Sequence, residues 1–260
     1  WMADSAGTSD VEASTSVTVP HVSHDYYEAI LQKRGQDINE AINRYNQEKV
    51  RQAAAQTAQP LTFTTATEDY FSDAVFIGDS RTVGISEYAG IKNATFLCKT
   101  SLTVYDFDKP KITYKNKKTS IKDVLSTHQF GKIYFMVGIN ECGTGTAQSF
   151  FKRYRDVIMD MRQLQPDALI FIEGNLFVTK EKSDQEQNIT NENIQERNRL
   201  IATLANQKDI FYIDINDSTL CKDGALISDY TWDQVHIKAQ YYSVWKEFLL
   251  EHAIIKERLS

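Results

Sequence analysis

The sequence predicts an α/β domain built on a five-stranded parallel sheet with helices on both faces, preceded by an N-terminal helix. Two observations carry that reading. The chain has 260 residues with 42% hydrophobic composition, enough for one full α/β domain and an appendage. From residue 73 onward, short apolar runs alternate with segments of helical spacing. Strand, helix, strand repetition of this kind favours parallel pairing with both sheet faces covered.

Residues 1–22 read as a Ser/Thr-rich leader or tether, with too little apolar mass to fold. Leaders of this kind join secretion signals or membrane anchors to domains outside the cell, so an extracytoplasmic location, secreted or surface-tethered, is the expectation. The opening Trp1-Met2 is neither an initiator nor a signal peptide, so the chain is read as trimmed or engineered, with a membrane anchor or membrane partner upstream left open. Residues 23–60 form a helix and linker: Asp25 and Glu28 stand in capping-box spacing, Ile30, Ile38, Ile42 and Tyr45 recur near helical period, and Pro60 closes the segment. This helix reads as a brace.

Residues 61–260 form the main domain. Its strands are expected at Ala74 to Gly78, Thr95 to Cys98, Lys132 to Gly138, Ala168 to Ile172 and Ile210 to Ile213. Between them, Phe150, Tyr154, Val157, Met161 and Leu164 make one helical stripe and Ile194, Ile201 and Leu204 another, while Tyr241, Trp245, Phe248 and Leu249 mark the last helix. A Lys-rich stretch, Lys109 to Lys122, holds a hairpin around Ile112-Thr113-Tyr114 and Asn116, followed by a helix capped through Ser120 and Asp123. It reads first as a solvated face, with contact to an anionic polymer as the alternative.

Lys and Arg total 29 against 35 Asp and Glu, a formal charge of −6, so no net positive field draws the chain to nucleic acid. Apolar runs such as Ala168 to Ile172 are far short of the roughly 18 residues of a membrane span. Cys98, Cys142 and Cys221 contain no C-x-x-C unit, so neither a disulfide framework nor a zinc ribbon is encoded. Free thiols are expected, with a Cys142 to Cys221 pair left open. Gly143-Thr144-Gly145 lacks the third glycine of a dinucleotide fingerprint, and no phosphate-binding loop or G-x-S-x-G elbow is present. No cofactor or metal is expected.

Chemistry collects where three of these strands end. The first ends in Gly78-Asp79-Ser80, the third in Gly138-Ile139-Asn140-Glu141, and the loop after the fifth carries Asp233-Gln234-Val235-His236. Open parallel sheets bind ligands at their carboxyl ends. Ser80 supplies a hydroxyl that needs a base, His236 is a base with a near-neutral pKa, and Asp233 accepts the other imidazole N–H. Asn140 and the backbone N–H of Ser80 are candidate oxyanion donors. A Ser at a strand-to-helix junction is by default an N-cap, and the partnered His236 and Asn140 favour the nucleophile. Asp79 is expected to tie down the turn. Arg81, Glu141, Glu173 and Asn175, beside these strand ends, are the candidate substrate contacts.

These blocks resemble the SGNH or GDSL-type serine hydrolases: Val75-Phe76-Ile77-Gly78-Asp79-Ser80, then Gly138-Ile139-Asn140, then Asp233 and His236 in D-x-x-H spacing. The resemblance covers residues 73 to 252. It implies a flavodoxin-like three-layer α/β/α sandwich, Ser80 as nucleophile, His236 as base, Asp233 as its partner and Asn140 as an oxyanion donor. Two positions depart from the family pattern. Its second block usually supplies a Gly N–H to the oxyanion hole, where Ser101 is the match here, and Asn140 is followed by Glu141 instead of Asp.

The implied activity is a serine esterase removing small acyl groups, O-acetyl above all, from carbohydrate or cell-wall glycan through an acyl-enzyme. One alternative is a glycan O-acetyltransferase domain working with a membrane partner. A second is a non-catalytic wall-binding module.

Overall fold

The computed structural model describes residues 32–40, 42–47 and 60–256. The Ser/Thr-rich leader, the Asp25 and Glu28 capping box, Ile30 and the linker before Pro60 lie outside the described residues. The chain divides into two compact units, residues 1–58 and 59–260. In the first, residues 32–40 and 42–47 are helical and are labelled α1.

The second unit runs β1 (Ala74–Gly78), α2 (Ser80–Tyr88), β2 (Thr95–Cys98), β3 (Ile112–Tyr114), β4 (Lys117–Thr119), α3 (Ile121–Thr127), β5 (Lys132–Met136), α4 (Ala147–Leu164) and β6 (Leu169–Glu173). It continues through α5 (Lys180–Gln185), α6 (Asn191–Ala202), β7 (Ile210–Ile213), β8 (Cys221–Lys222), β9 (Ala225–Leu226) and α7 (Tyr242–Glu251). Five strands form one sheet in the order β2-β1-β5-β6-β7, parallel throughout. Two small antiparallel hairpins, β3-β4 and β8-β9, lie outside it.

Three strands have the bounds expected from sequence. β5 stops two residues short, at Met136, because the chain turns at Gly138 with φ +145° and the Val137 carbonyl accepts from the Asn175 side chain at 3.1 Å instead of continuing the ladder. β6 begins at Leu169, since the Ala168 N–H closes a turn on the Gln165 carbonyl.

Alternate residues of each strand feed two cores, the period-two alternation of a sheet covered on both faces. Val75, Ile77, Ile133, Phe135, Ile170 and Ile172 meet α3, α4 and α6 through Val124, Leu125, Phe150, Tyr154, Val157, Met161 and Ile201. Phe76, Tyr134, Phe171 and Phe211 meet α2 and α7 through Ile85, Tyr242, Trp245 and Leu249. On that second face the strand register aligns Phe96, Phe76, Tyr134, Phe171 and Phe211 into a row across all five strands, with successive centroids 5.0, 4.6, 4.6 and 5.7 Å apart. Such contacts add about 0.5–1.5 kcal/mol each beyond area burial.

α2 lies close against α7. A Cβ on Gly84 would stand 1.9 Å from the Tyr242 hydroxyl oxygen, so the absence of a side chain there sets the helix separation. This packing brings the loop before α7 to the start of α2.

Candidate active site

The start of α2 sets the first functional group. Gly78 has no room for a side chain: a Cβ would fall 2.0 Å from Thr82 Oγ1 and 2.5 Å from the Met136 carbonyl oxygen. Asp79, fully buried, is the N-cap, its Oδ1 accepting from the Arg81 N–H at 3.0 Å. Capping by the preceding residue releases Ser80 from that role. Ser80 is the first helical residue, half-buried, and its Oγ stands 2.7 Å from His236 Nε2.

His236 is delivered by a closed loop. A bridge between Thr231 and Ile237 and a bond from the Lys238 N–H to the Tyr230 carbonyl at 2.8 Å pinch its neck. Within it, Asp233 Oδ1 accepts from the N–H groups of Val235 (3.0 Å) and His236 (2.8 Å) and from Thr231 Oγ1 (3.2 Å), leaving Oδ2 for His236 Nδ1 at 2.6 Å. Partial burial pushes the Asp233 carboxyl up, but the backbone and ring N–H donors of His236 and the Val235 N–H outweigh it and hold the group well below the usual carboxylate range. A neutral His236 protonated on Nδ1 satisfies both contacts at once, donating to Asp233 and accepting from the Ser80 hydroxyl.

The loop needs one unusual backbone. Gln234 has φ +70°, a left-handed conformation that disfavours residues with a Cβ. It is held by Thr179, whose N–H donates to the Gln234 carbonyl at 3.0 Å and whose Oγ1 donates to Gln234 Oε1 at 3.2 Å. Thr179 also caps α5 by accepting from the Lys182 N–H. The sequence offered no signal for this clamp, because a Thr capping a short helix looks the same whether or not a second loop leans on it.

The three groups expected to donate to an oxyanion lie on the start of α2, the turn after β2 and the segment after β5. The Ser80 N–H, at the first helical position of α2, belongs to the donors that a helix leaves unpaired, where the helix dipole also favours negative charge. Ser101 lies in a turn closed by the Leu102 N–H on the Lys99 carbonyl (2.9 Å), and the Lys99 N–H ties that turn to the Gly78 carbonyl (3.1 Å). Ser101 is not among the positive-φ residues, so the backbone here does not require the glycine usual at this position. Asn140 directs its side-chain Nδ2 at the carbonyls of Thr100 (3.3 Å) and Leu102 (2.9 Å). It therefore braces the turn that carries Ser101, and its approach to an oxyanion requires release of the longer of these bonds.

The four candidate substrate contacts are corrected by the structure, since all are buried and committed to the protein. Arg81 is 1% exposed and donates to the Leu176 carbonyl at 2.9 Å. Burial lowers its pKa, with the Asp79 charge acting the other way. Glu141 accepts from the Val104 N–H at 2.7 Å, and burial pushes it up to about 7 against that bond. Glu173 faces α7, accepts from the Trp245 indole at 3.3 Å, and is likewise pushed up to about 7 by burial. Asn175 binds the Val137 carbonyl and, through its backbone, the amides of Asn198 and Asn216. Each ties a strand end or the segment beside it to a remote part of the fold, a loop for Arg81, Glu141 and Asn175 and helix α7 for Glu173, which is why polar residues persist there.

Cys142 and Cys221 are free thiols packed with Ile139, Phe177, Val178 and Ile194, and Cys98 is free as well.

Comparison with known proteins agrees with this architecture. The GDSL-like lipase/acylhydrolase family matches residues 76–244, which contain every strand-end group described above. No curated protein matches the chain. Among solved structures, one described as a putative platelet activating factor from Streptococcus pneumonia is similar at 18% identity and TM-score 0.53, covering 84% of this chain and 97% of its own. A GDSL-like lipase from Bacteroides thetaiotaomicron is 14% identical with TM-score 0.51, over 78% of this chain and 94% of its own. An acetyl xylan esterase is 18% identical with TM-score 0.51, over 68% and 96%. The chain belongs to the GDSL-like lipase/acylhydrolase family and is an ester-hydrolysing enzyme of the SGNH type.

Proposed function

We propose that the protein is an extracytoplasmic serine esterase that removes O-acetyl groups from carbohydrate by way of an acyl-enzyme on Ser80. The observation that carries this reading is the relay from Ser80 Oγ to His236 Nε2 at 2.7 Å and from His236 Nδ1 to Asp233 Oδ2 at 2.6 Å. Ser80 Oγ attacks the ester carbonyl while its proton passes to His236, and the imidazolium is held by the ionised Asp233. The N–H groups of Ser80 and Ser101, with the Asn140 amide, receive the oxyanion. Collapse breaks the ester C–O bond, and His236 gives its proton to the departing sugar oxygen, which leaves as a hydroxyl. Water then repeats the sequence on the acyl-Ser80 ester, releasing acetate.

Two features support a sugar as the leaving group. The relay is open: the His236 and Asp233 side chains are 39% and 55% exposed, which suits a small acyl group on a bulky polymer. Trp232, 86% exposed, stands beside Asp233, with Lys238 Nζ 3.7 Å from its ring centroid. A flat aromatic surface at the rim of a site is a platform for a pyranose ring. The structurally similar acetyl xylan esterase acts in that chemical class.

The test is acetate release from acetylated xylan oligosaccharides and from an activated acetyl ester, by the wild type and by Ser80→Ala. Loss of about three or more orders of magnitude in the variant on both substrates is expected. An active Ser80→Ala protein removes the acyl-enzyme. Turnover of the activated ester without release from glycan esters removes the carbohydrate.

A further inference from the structure

We infer that the β3-β4 hairpin forms a second binding site, separate from the ester-cleaving centre, for a flexible polymer with repeating phosphodiesters, a polyol phosphate chain. In a protein of net charge −6, the fourteen residues from Lys109 to Lys122 contain six lysines and no acid. Lys109 pairs with Asp106 at 3.5 Å, whereas Lys111, Lys115, Lys117, Lys118 and Lys122 meet no carboxylate among the described residues. The patch is thus positive on an acidic molecule and not neutralised from within.

The hairpin shapes that charge into a recess. Its turn is formed by Lys115 and Asn116, at φ +47° and +62°, and the register sets Tyr114 opposite Lys117, so their side chains share one face. That face and α3 enclose a cavity of about 470 Å³ lined by Tyr114, Lys115, Lys117, Thr127 and His128, with Asp123 as its carboxylate. Lys115 Nζ lies 3.2 Å from His128 Nε2, and His128 Nδ1 lies 2.9 Å from Thr127 Oγ1. An ammonium has only protons to give, so His128 accepts from Lys115 and donates to Thr127. The edge-on Tyr114 ring, 5.3 Å from the His128 ring, steadies the imidazole. Lys115 is thus held by an imidazole nitrogen and by the Tyr114 ring, 5.1 Å from its Nζ, and not by a carboxylate. Among the described residues, the ammonium groups of Lys115 and Lys117 are left without an ion-paired carboxylate at the recess.

The chemistry of the patch selects among polyanions. Lysines are point-charge phosphate binders, without the planar fork by which arginine matches a carboxylate, and the segment contains no arginine. Tyr114 is half-buried with its ring against His128, so no open aromatic face receives a nucleobase. None of the exposed large hydrophobic residues lies between 109 and 128, so nothing on this face inserts into a lipid surface. A soluble chain with phosphates spaced along it matches what remains.

The probe is a synthetic poly(glycerol phosphate) oligomer titrated into the full chain by calorimetry. Binding is expected to weaken on raising salt from about 50 to about 300 mM, since the exposed charges are screened. Lys115→Gln/Lys117→Gln is expected to lose at least about ten-fold in affinity. Lys180→Gln/Lys222→Gln, the same charge change elsewhere on the surface, is expected to stay within about two-fold. Both pairs are exposed, and thermal unfolding of each variant at the wild-type temperature excludes misfolding as the cause. Equal losses in the two variants, or none in the first, overturn the site. Equal or tighter binding of polygalacturonate, single-stranded DNA or phosphatidylglycerol vesicles overturns the assignment to phosphodiester chains. Because no ester is cleaved in this titration, its result is independent of the esterase reading.

Discussion

Among the carboxylates at or near the carboxyl ends of the strands, Asp233 contrasts with three buried acids, Asp79, Glu141 and Glu173. Asp233 is half-exposed and surrounded by donors: two backbone N–H groups, a threonine hydroxyl and the His236 ring. Asp79, Glu141 and Glu173 are buried, each bonded to one donor, the N–H of Arg81, the N–H of Val104 and the Trp245 indole. Burial raises the buried acids and hydrogen bonding lowers the exposed one. Position at a strand end therefore does not by itself decide a carboxylate's charge. What distinguishes the acid paired with His236 is a supply of donors at a solvent-exposed position, which favours its charged form.

Substitutions on the two sides should separate accordingly. The largest effect is expected from Asp233→Asn, which keeps the size of the side chain but removes the charge and favours the wrong imidazole tautomer. A fall of about three to four orders of magnitude in kcat is the scale for such a change in a Ser-His-Asp relay, measured on an activated acetyl ester with folding followed by circular dichroism. A loss under about ten-fold would break the distinction, because Asp233 would then be no more reactive than its buried counterparts.

Glu141→Ala tests the other side. It strands the buried Val104 N–H and opens a cavity, so a stability loss of about 3 kcal/mol in denaturant unfolding is expected. Unchanged stability would show that Glu141 does not hold the segment after Ser101.

Glu173 supplies a pH dependence. Its folded pKa is raised to about 7 by burial, with the Trp245 indole opposing, so its contribution is fully present below the unfolded value near 4.5 and is lost as pH rises towards 7. Over that window wild-type stability should decline by at most about 3 kcal/mol from this group. Glu173→Gln still accepts from Trp245 and cannot titrate, so its profile should be flatter there; an unaltered slope would assign the effect elsewhere. Asp233 acts with the opposite sign: its lowered pKa gives stability that is present above about 4 and lost on acidification.

The smallest effect is expected from Thr231→Val, which removes one of four donors to Asp233 while keeping the side-chain volume. A few-fold fall in kcat/KM, under about 1 kcal/mol, would show that the donors share the work. A fall as large as that of Asp233→Asn would make Thr231 decisive and sharpen the contrast further.

Much of this was legible in the chain itself. Strands β1, β2 and β7 were readable to the residue, and α4 from the stripe Phe150, Tyr154, Val157 and Met161, because periodicity and burial are written locally. The association of Ser80, Asp233 and His236 was readable as well, from complementary chemistry at the ends of strands bound to share one sheet edge. Arg81, Glu141, Glu173 and Asn175 misled for the same reason: a polar residue at a strand end looks alike whether it faces solvent or a neighbouring loop.

What the sequence by itself determined was the order of strands and helices and the kinds of group available at one end of the sheet, both set by short-range propensity and pattern. Only the tertiary structure decided which of those groups meet. It placed Thr179 under the left-handed Gln234, turned Glu173 towards Trp245, and aimed Asn140 at the carbonyls of Thr100 and Leu102. These contacts join residues from about 38 to 72 positions apart, and their strength depends on burial created by packing remote segments together, which no local window of sequence contains.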